Sequence, residues 1–197
     1  SHFDEQEAVE AGRIAPQRGY RIAEPNVDLS DVKIVGGEFD AARLGDKLST
    51  PHHNAAVLEI YRRYLNVPTI TFCSTIAHCE ELADLFTRNG IKAFAVSGTT
   101  PDRVVEKYLR QLGQGKIEVL FSAQLLMEGV DVPHLIGVFQ ESPTASERVY
   151  KQRTGRVTRF IDNKVGIIVD LIYGGIARKQ MTAHRVFHRQ LYYPGGL

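Results

Sequence analysis

An α/β fold built on a parallel sheet with helices on both faces is what this 197-residue sequence predicts, and three observations predict it. Short apolar runs rich in β-branched and aromatic residues recur along the chain, continuous in hydrophobicity as strands covered on both sides are. Between the first three of them lie amphipathic segments of helical period with their own start and stop signals. Repeated strand and helix in this order fold into a parallel sheet through right-handed crossovers.

The elements follow in order. Residues 1–35 show no sustained periodicity and hold Pro16, Gly19 and Pro25, so they read as a connector with one short helix over Glu5 to Ala11. A domain over 36–180 and a C-terminal extension over 181–197 complete the division. From Ala41 to Leu65 the pattern is helical, broken at Thr50-Pro51, where Thr50 caps and Pro51 takes the first helical position. Strands are predicted at Thr69 to Cys73, Ala93 to Val96, Val119 to Phe121, Leu135 to Phe139 and Gly166 to Val169. Ser74 caps a helix with a Cys79, Leu82, Ala83 and Phe86 stripe that ends at Gly90, a residue suited to a left-handed turn. Thr100-Pro101 opens the next, which buries Val105, Tyr108, Leu109 and Leu112 and closes near Gly113.

Composition excludes several classes. No apolar run of about eighteen residues and no basic-then-apolar leader are present, so neither a membrane span nor a secretory signal is predicted. Two cysteines, Cys73 and Cys79, are too few for a disulfide framework and read as small core residues in a reducing, cytoplasmic setting. The net charge is +1, but residues 144–197 carry ten Lys and Arg against three Asp and Glu. Such a segment either faces an anion or is a solvated basic face.

In a parallel sheet ligands gather at the carboxyl ends of the strands. That rule selects Ser74-Thr75, Ser97-Gly98-Thr99, Ser122-Ala123 and Gln140-Glu141-Ser142. Free N–H groups at helix starts attract phosphate, so several such ends on one edge suit a sugar-phosphate backbone, although each alone is also an ordinary helix cap. Two stretches are more specific. In Ser122 to Pro133, Gly129 permits a turn that a side chain would obstruct, and Asp131 can accept from a ribose hydroxyl or a water. In Pro143 to Arg159, Thr144 and Glu147 form a capping box, and in a continuing helix Gln152, Arg156 and Arg159 share one face. Two guanidinium groups on one stripe need an anion between them, and a phosphoryl group in transfer is such an anion.

These two stretches resemble motifs V and VI of the superfamily 2 helicases and translocases. Thr69 to Thr75 is similar to their motif IV, and the likeness spans Val32 to Ile172. The Glu-Gly-x-Asp-x-Pro form and the Pro-Thr-x-Ser run resemble the DNA-acting branch of type III restriction motor subunits and related repair helicases, and Glu10 to Pro16 looks like the link that follows their first motor domain. The resemblance implies a RecA-like helicase C-terminal domain. Arg156 and Arg159 would be arginine fingers supported by Gln152, with Gly129 and Asp131 bordering the nucleotide. Glu128 replaces the small or basic residue of some branches. Ser74, Thr75, Ser97, Gly98, Thr99, Ser122 and Ala123 would approach one strand's phosphates. The implied partners are DNA, with RNA also compatible, an N-terminal RecA-like domain of the same protein, and accompanying nuclease or methylase subunits.

No Gly-x-x-x-x-Gly-Lys-Ser/Thr loop and no Asp-Glu box after a strand occur, so ATP and Mg2+ are expected to be bound mainly by that other domain, and this chain alone is not expected to hydrolyse ATP. His184 and His188 share i, i+4 spacing without a third ligand, and no metal site is predicted. Asp131 or Asp170 as a phosphoacceptor would need an acidic cluster and a partner lysine that are not apparent. A stand-alone nucleic-acid or protein binding module is the alternative reading. An independent small enzyme would need a complete site, and none is found.

Overall fold

A computed structural model describes residues 15–123, 132, 135–155, 157 and 165–187. Its strands are β1 (Gln17–Asp28), β2 (Ile34–Val35), β3 (Glu38–Phe39), β4 (Thr69–Cys73), β5 (Ala93–Ser97), β6 (Val119–Ala123), β7 (Gly137–Gln140) and β8 (Gly166–Gly174). Six of them form one sheet in the order β1-β8-β7-β4-β6-β5, and every neighbouring pair is parallel. All the predicted strands are present, each within a few residues of its expected bounds.

The helices are α1 (Ala41–Leu48), α2 (Pro51–Ile60), α3 (Ile76–Arg88), α4 (Asp102–Gly113), α5 (Glu147–Thr154) and α6 (Ala183–Val186), with a π-helical turn over Tyr61–Leu65. Two apolar layers sandwich the sheet. On one face, Cys73, Val119, Phe121, Phe139 and Val169 pack against Leu44 and Leu48 of α1, Val57 of α2 and the predicted α3 stripe. On the other, Ile70, Phe72, Val96, Leu120, Val138 and Ile168 pack against Val105, Leu109 and Leu112 of α4 and Tyr150 of α5. Alternate residues of one strand serve opposite layers, as the pleat requires. This is why the strands read as continuous apolar runs.

Local signals held where local bonds make them. Thr50 accepts from the His53 N–H with Pro51 opening α2, and Gly90 has φ +82° after α3. Three expectations need correction. The start of α3 is capped by Thr75, which accepts from His78, and not by Ser74. The cap of α5 is Ser146, because the Thr144 hydroxyl donates to Glu38 across the fold. The stretch read as a connector holds the sheet's longest strand, β1, paired with β8 from Gln17↔Gly166 to Glu24↔Tyr173. Arg18, Arg21 and Glu24 interrupt its apolar pattern, and Glu24 turns inward to an imidazole. The predicted helix over Glu5 to Ala11 lies outside the described residues. The start of the expected extension is packed on the domain: Met181, Ala183, Val186 and Phe187 lie against the α4–α5 layer. Cys73 and Cys79 are buried and unbridged, and burial pushes the Cys73 thiol's pKa up.

Candidate nucleic-acid and nucleotide-facing edge

Because every strand of the sheet is parallel, the ends of β4, β6 and β5 come out side by side on one edge, with Cys73, Ala123 and Ser97 in register. Beyond β4 stand Ser74 and Thr75, and beyond β5 stand Gly98 and Thr99. The β5 turn is organised by hydroxyls: Ser97 N–H donates to Thr100 Oγ1 at 3.0 Å, Ser97 Oγ and Thr99 Oγ1 are 2.9 Å apart, and Thr99 N–H donates to Ser97 Oγ at 3.3 Å. Gly98 and Thr99 are exposed, and a Cβ added at Gly98 would meet nothing within 4 Å. Of the seven residues predicted to meet a strand, Ser74, Ser97, Ser122 and Ala123 are buried. Ser122 and Ala123 are the last residues of β6 itself, not a loop after it, so among these seven residues the accessible ones are half-buried Thr75 and exposed Gly98 and Thr99.

The neighbouring ends of β7 and β8 are held by long-range bonds. Arg153 of α5 donates through Nη1 to Gln140 Oε1 and to the Ser142 carbonyl, both at 3.0 Å, and its guanidinium lies 5.0 Å from the Phe72 ring centroid. Burial pulls the Arg153 pKa down, opposed by nearby Glu38. Glu38 in turn accepts from Thr144 Oγ1 at 2.6 Å and from the Ala145 N–H at 3.3 Å, tying the β2–β3 hairpin to the loop before α5. Gly36 and Gly37, with φ +60° and +88°, make the hairpin's two-residue turn. A cavity of about 290 Å³ lies between hairpin, α1 and strand ends, lined by Phe39, Leu44, Phe72, Ser74, Pro143 and Arg153 among others.

Beneath this edge Glu141, fully buried, pairs with His53 Nε2 at 3.0 Å and lies 3.8 Å from His78 Nδ1, while Tyr173 donates to its carbonyl at 2.6 Å. Glu24 of β1 stands 3.7 Å from His53 Nδ1. On the opposite face Asp170 of β8 accepts from Tyr150 Oη at 2.9 Å and from the Ala183 N–H at 2.8 Å, joining α5 and α6 to the sheet. Burial raises the Asp170 carboxyl to about 7 against those two bonds, which lower it. Asp170 is therefore a packing anchor in this arrangement.

Of the predicted nucleotide-facing residues, Gln152 sits on α5 beside Arg153. Gly129, Asp131, Glu128, Arg156 and Arg159 lie outside the described residues. α5 ends at Thr154, so the single helical face argued from spacing is seen only as far as Gln152. Reading the residues alone selected Glu141 as part of a strand-end segment but did not find its pairing with His53 and His78, nor the roles of Arg153 and Glu38. Arg153 falls inside the basic run, but nothing in its spacing marks a partner thirteen residues back. Among the described residues no group of three His, Cys, Asp or Glu could hold a metal ion, and no helix is long and apolar enough to cross a membrane.

Residues 52–161 match the family described as the helicase conserved C-terminal domain, across more than half the chain. The chain belongs to that family. The helicase C-terminal domain described here is similar, at 27% identity over 93% of its length, to a 51.5 kDa protein of Lactococcus phage (isolate 7-9), and at 29% over 70% to the putative ATP-dependent helicase IRC3 of Saccharomyces cerevisiae. It spans 40% and 20% of those two proteins. Among solved structures, a putative HsdR subunit of a type I restriction enzyme from Vibrio vulnificus superposes with TM-score 0.67 at 19% identity, covering 97% of this chain and 38% of that one. The C-terminal domain of the DEAD-box protein Dbp5 does so with TM-score 0.66 at 14%, covering 92% and 91%. These likenesses establish the RecA-like fold.

Proposed function

We propose that this domain is the second motor domain of an ATP-dependent helicase or translocase, which closes on a first RecA-like domain when ATP and a nucleic-acid strand are bound. The observation that carries the reading is the common edge: the half-buried β4 turn at Thr75, the exposed β5 turn at Gly98 and Thr99, and the arginine-bearing α5 all stand at the carboxyl ends of one parallel sheet. Thr75, Gly98 and Thr99 contact the backbone of the strand through hydroxyl and N–H groups, without reading bases. DNA is the favoured substrate, on the resemblance of the Glu128 to Pro133 and Pro143 to Ser146 stretches to the DNA-acting branch. Accompanying nuclease or methylase subunits belong to the same reading.

The residues assigned to ATP are Gln152, Gly129, Asp131, Arg156 and Arg159, with Glu128 beside them, and Gln152 fits as an amide donor on the helix that Arg153 fixes to the edge. ATP and Mg2+ supply the phosphoryl-transfer chemistry when bound, and their main cradle belongs to the first motor domain. Arg156 and Arg159 donate planar hydrogen bonds to the phosphate as its charge redistributes. In the full-length protein, Arg156→Ala or Arg159→Ala lowers strand-stimulated ATP turnover by about 10³-fold or more while nucleotide binding stays near normal. Near-normal turnover in both variants, measured by phosphate release, rejects the assignment.

A further inference from the structure

The far edge of the sheet carries a second feature, unrelated to the strand ends. Among the described residues β5 is the outermost strand on its side. The Lys92 carbonyl accepts from Glu118 and Val119 N–H groups of the β6 segment, so by the alternation of a parallel ladder Phe94 and Val96 also face β6, and Ala93, Ala95 and Ser97 turn their backbone groups outward. Both ends of this open edge are closed by threonines. Thr87 Oγ1 donates to the Ala93 carbonyl at 3.3 Å, and Thr100 takes up both Ser97 groups, at 3.0 Å each. The remaining window is the Ala95 N–H and carbonyl with the Ala93 N–H beside it.

That window lies in a groove of about 590 Å³ that wraps the edge between α3 and the end of α4. Small side chains, Ala93 and Ala95, floor it on the α3 side. On the other face Phe94 is 40% exposed and stacks on Tyr108, with ring centroids 4.6 Å apart. Charge is graded along it. Glu80 and Asp84, exposed and four apart on α3, flank the later half of β5, while Lys92 and Lys116 stand at its start. Two like charges at i, i+4 cost a helix stability unless something compensates them.

We propose that the β5 edge is a docking site for a short extended segment of a partner protein, added to the sheet as a seventh strand. One residue of that segment exchanges both backbone bonds with Ala95, its apolar neighbours fill the floor over Ala93 and Ala95 and cover Phe94, and a basic residue at one end meets Glu80 and Asp84 while an acidic one at the other meets Lys92 and Lys116. The occupant is short because Thr87 and Thr100 close the edge on either side. The acidic wall disfavours nucleic acid in this groove.

The test selects random heptapeptides displayed on phage against the immobilised 197-residue chain, followed by fluorescence anisotropy of the recovered peptides. The expected consensus alternates apolar residues and carries an acidic residue at one end and a basic one at the other. Its affinity falls about tenfold or more with Ala95→Pro, which removes an outward N–H of an edge strand and puts ring carbons in its place, at a position where proline is tolerated. Glu80→Lys with Asp84→Lys, two surface changes, inverts the charge preference at the basic end. Thermal melting of each variant verifies that the fold is kept. Absence of enrichment, or binding indifferent to both variants, overturns the proposal. So does a concentration-dependent dimer in sedimentation that Ala95→Pro abolishes, which assigns the edge to a second copy of the chain.

Discussion

The two halves of the carboxyl edge are built by different means. At β5 and β4 the turns are organised by neighbours: Ser97 with Thr99 and Thr100, Thr75 with His78, all within three residues. At β7 and β8 the same edge is held by bonds across the fold, Arg153 to Gln140, Thr144 to Glu38 106 residues away, and Glu141 to His53 88 residues away. The first half leaves Gly98 and Thr99 exposed. The second spends its polar groups on one another, and so fixes the helix from which the arginine segment continues.

This contrast is open to measurement, and the long-range half should cost most when cut. Arg153→Ala removes two hydrogen bonds and a ring contact and strands Gln140 and Ser142, so a loss of about 3 kcal/mol or more is expected, read as a fall of roughly 6–12 °C in the thermal midpoint. A loss below the effect of a single cap substitution would erase the distinction between the halves.

Asp170 sharpens the same point through pH. Its carboxyl titrates at about 7 in the folded chain against an ordinary 3.8. Between those values the folded chain holds a proton that the unfolded chain has released, so stability falls as pH rises from about 4 to about 7 and is flat above. The span is on the order of a few kcal/mol. Asp170→Asn flattens that slope, which urea midpoints at pH 5 and pH 7.5 report, and wild-type and variant slopes that coincide count against the buried carboxyl as its source.

Smaller effects belong to the local half. Thr75→Ala deletes one helix cap and costs about 1 kcal/mol. Gly98→Ala, with open space where its Cβ would go, leaves the stability measured by urea unfolding within about 0.5 kcal/mol. If Gly98 lies on the strand's path, its added methyl weakens binding of a single-stranded oligonucleotide by the full-length protein, measured by anisotropy.

What was legible in the sequence follows the same division. The strands of the central sheet, the α3 and α4 stripes and the Thr50-Pro51 start rest on period and on contacts within one turn, and these survive as signals in a linear chain. Strand β1 was not legible, because its pairing with β8 lies about 150 positions away and its charged residues break the apolar pattern. Thr144 with Glu147 carried a valid capping signal, yet the Thr144 hydroxyl is engaged by Glu38 and Ser146 is the cap. The edge itself was legible because parallel strands place all their ends together, whereas the clamp on Arg153 depends on a side-chain partner no local pattern marks.

Strand β1 has a mechanical consequence. It runs parallel to β8 from Gln17↔Gly166 to Glu24↔Tyr173, so tension applied along the chain ahead of Gln17 and resisted at the far end of β8 loads those rungs in shear, all together, and does not peel them one by one. A tether attached there passes its pull along the whole β1–β8 seam to the strand next to the sheet's edge, as a stiff strut does.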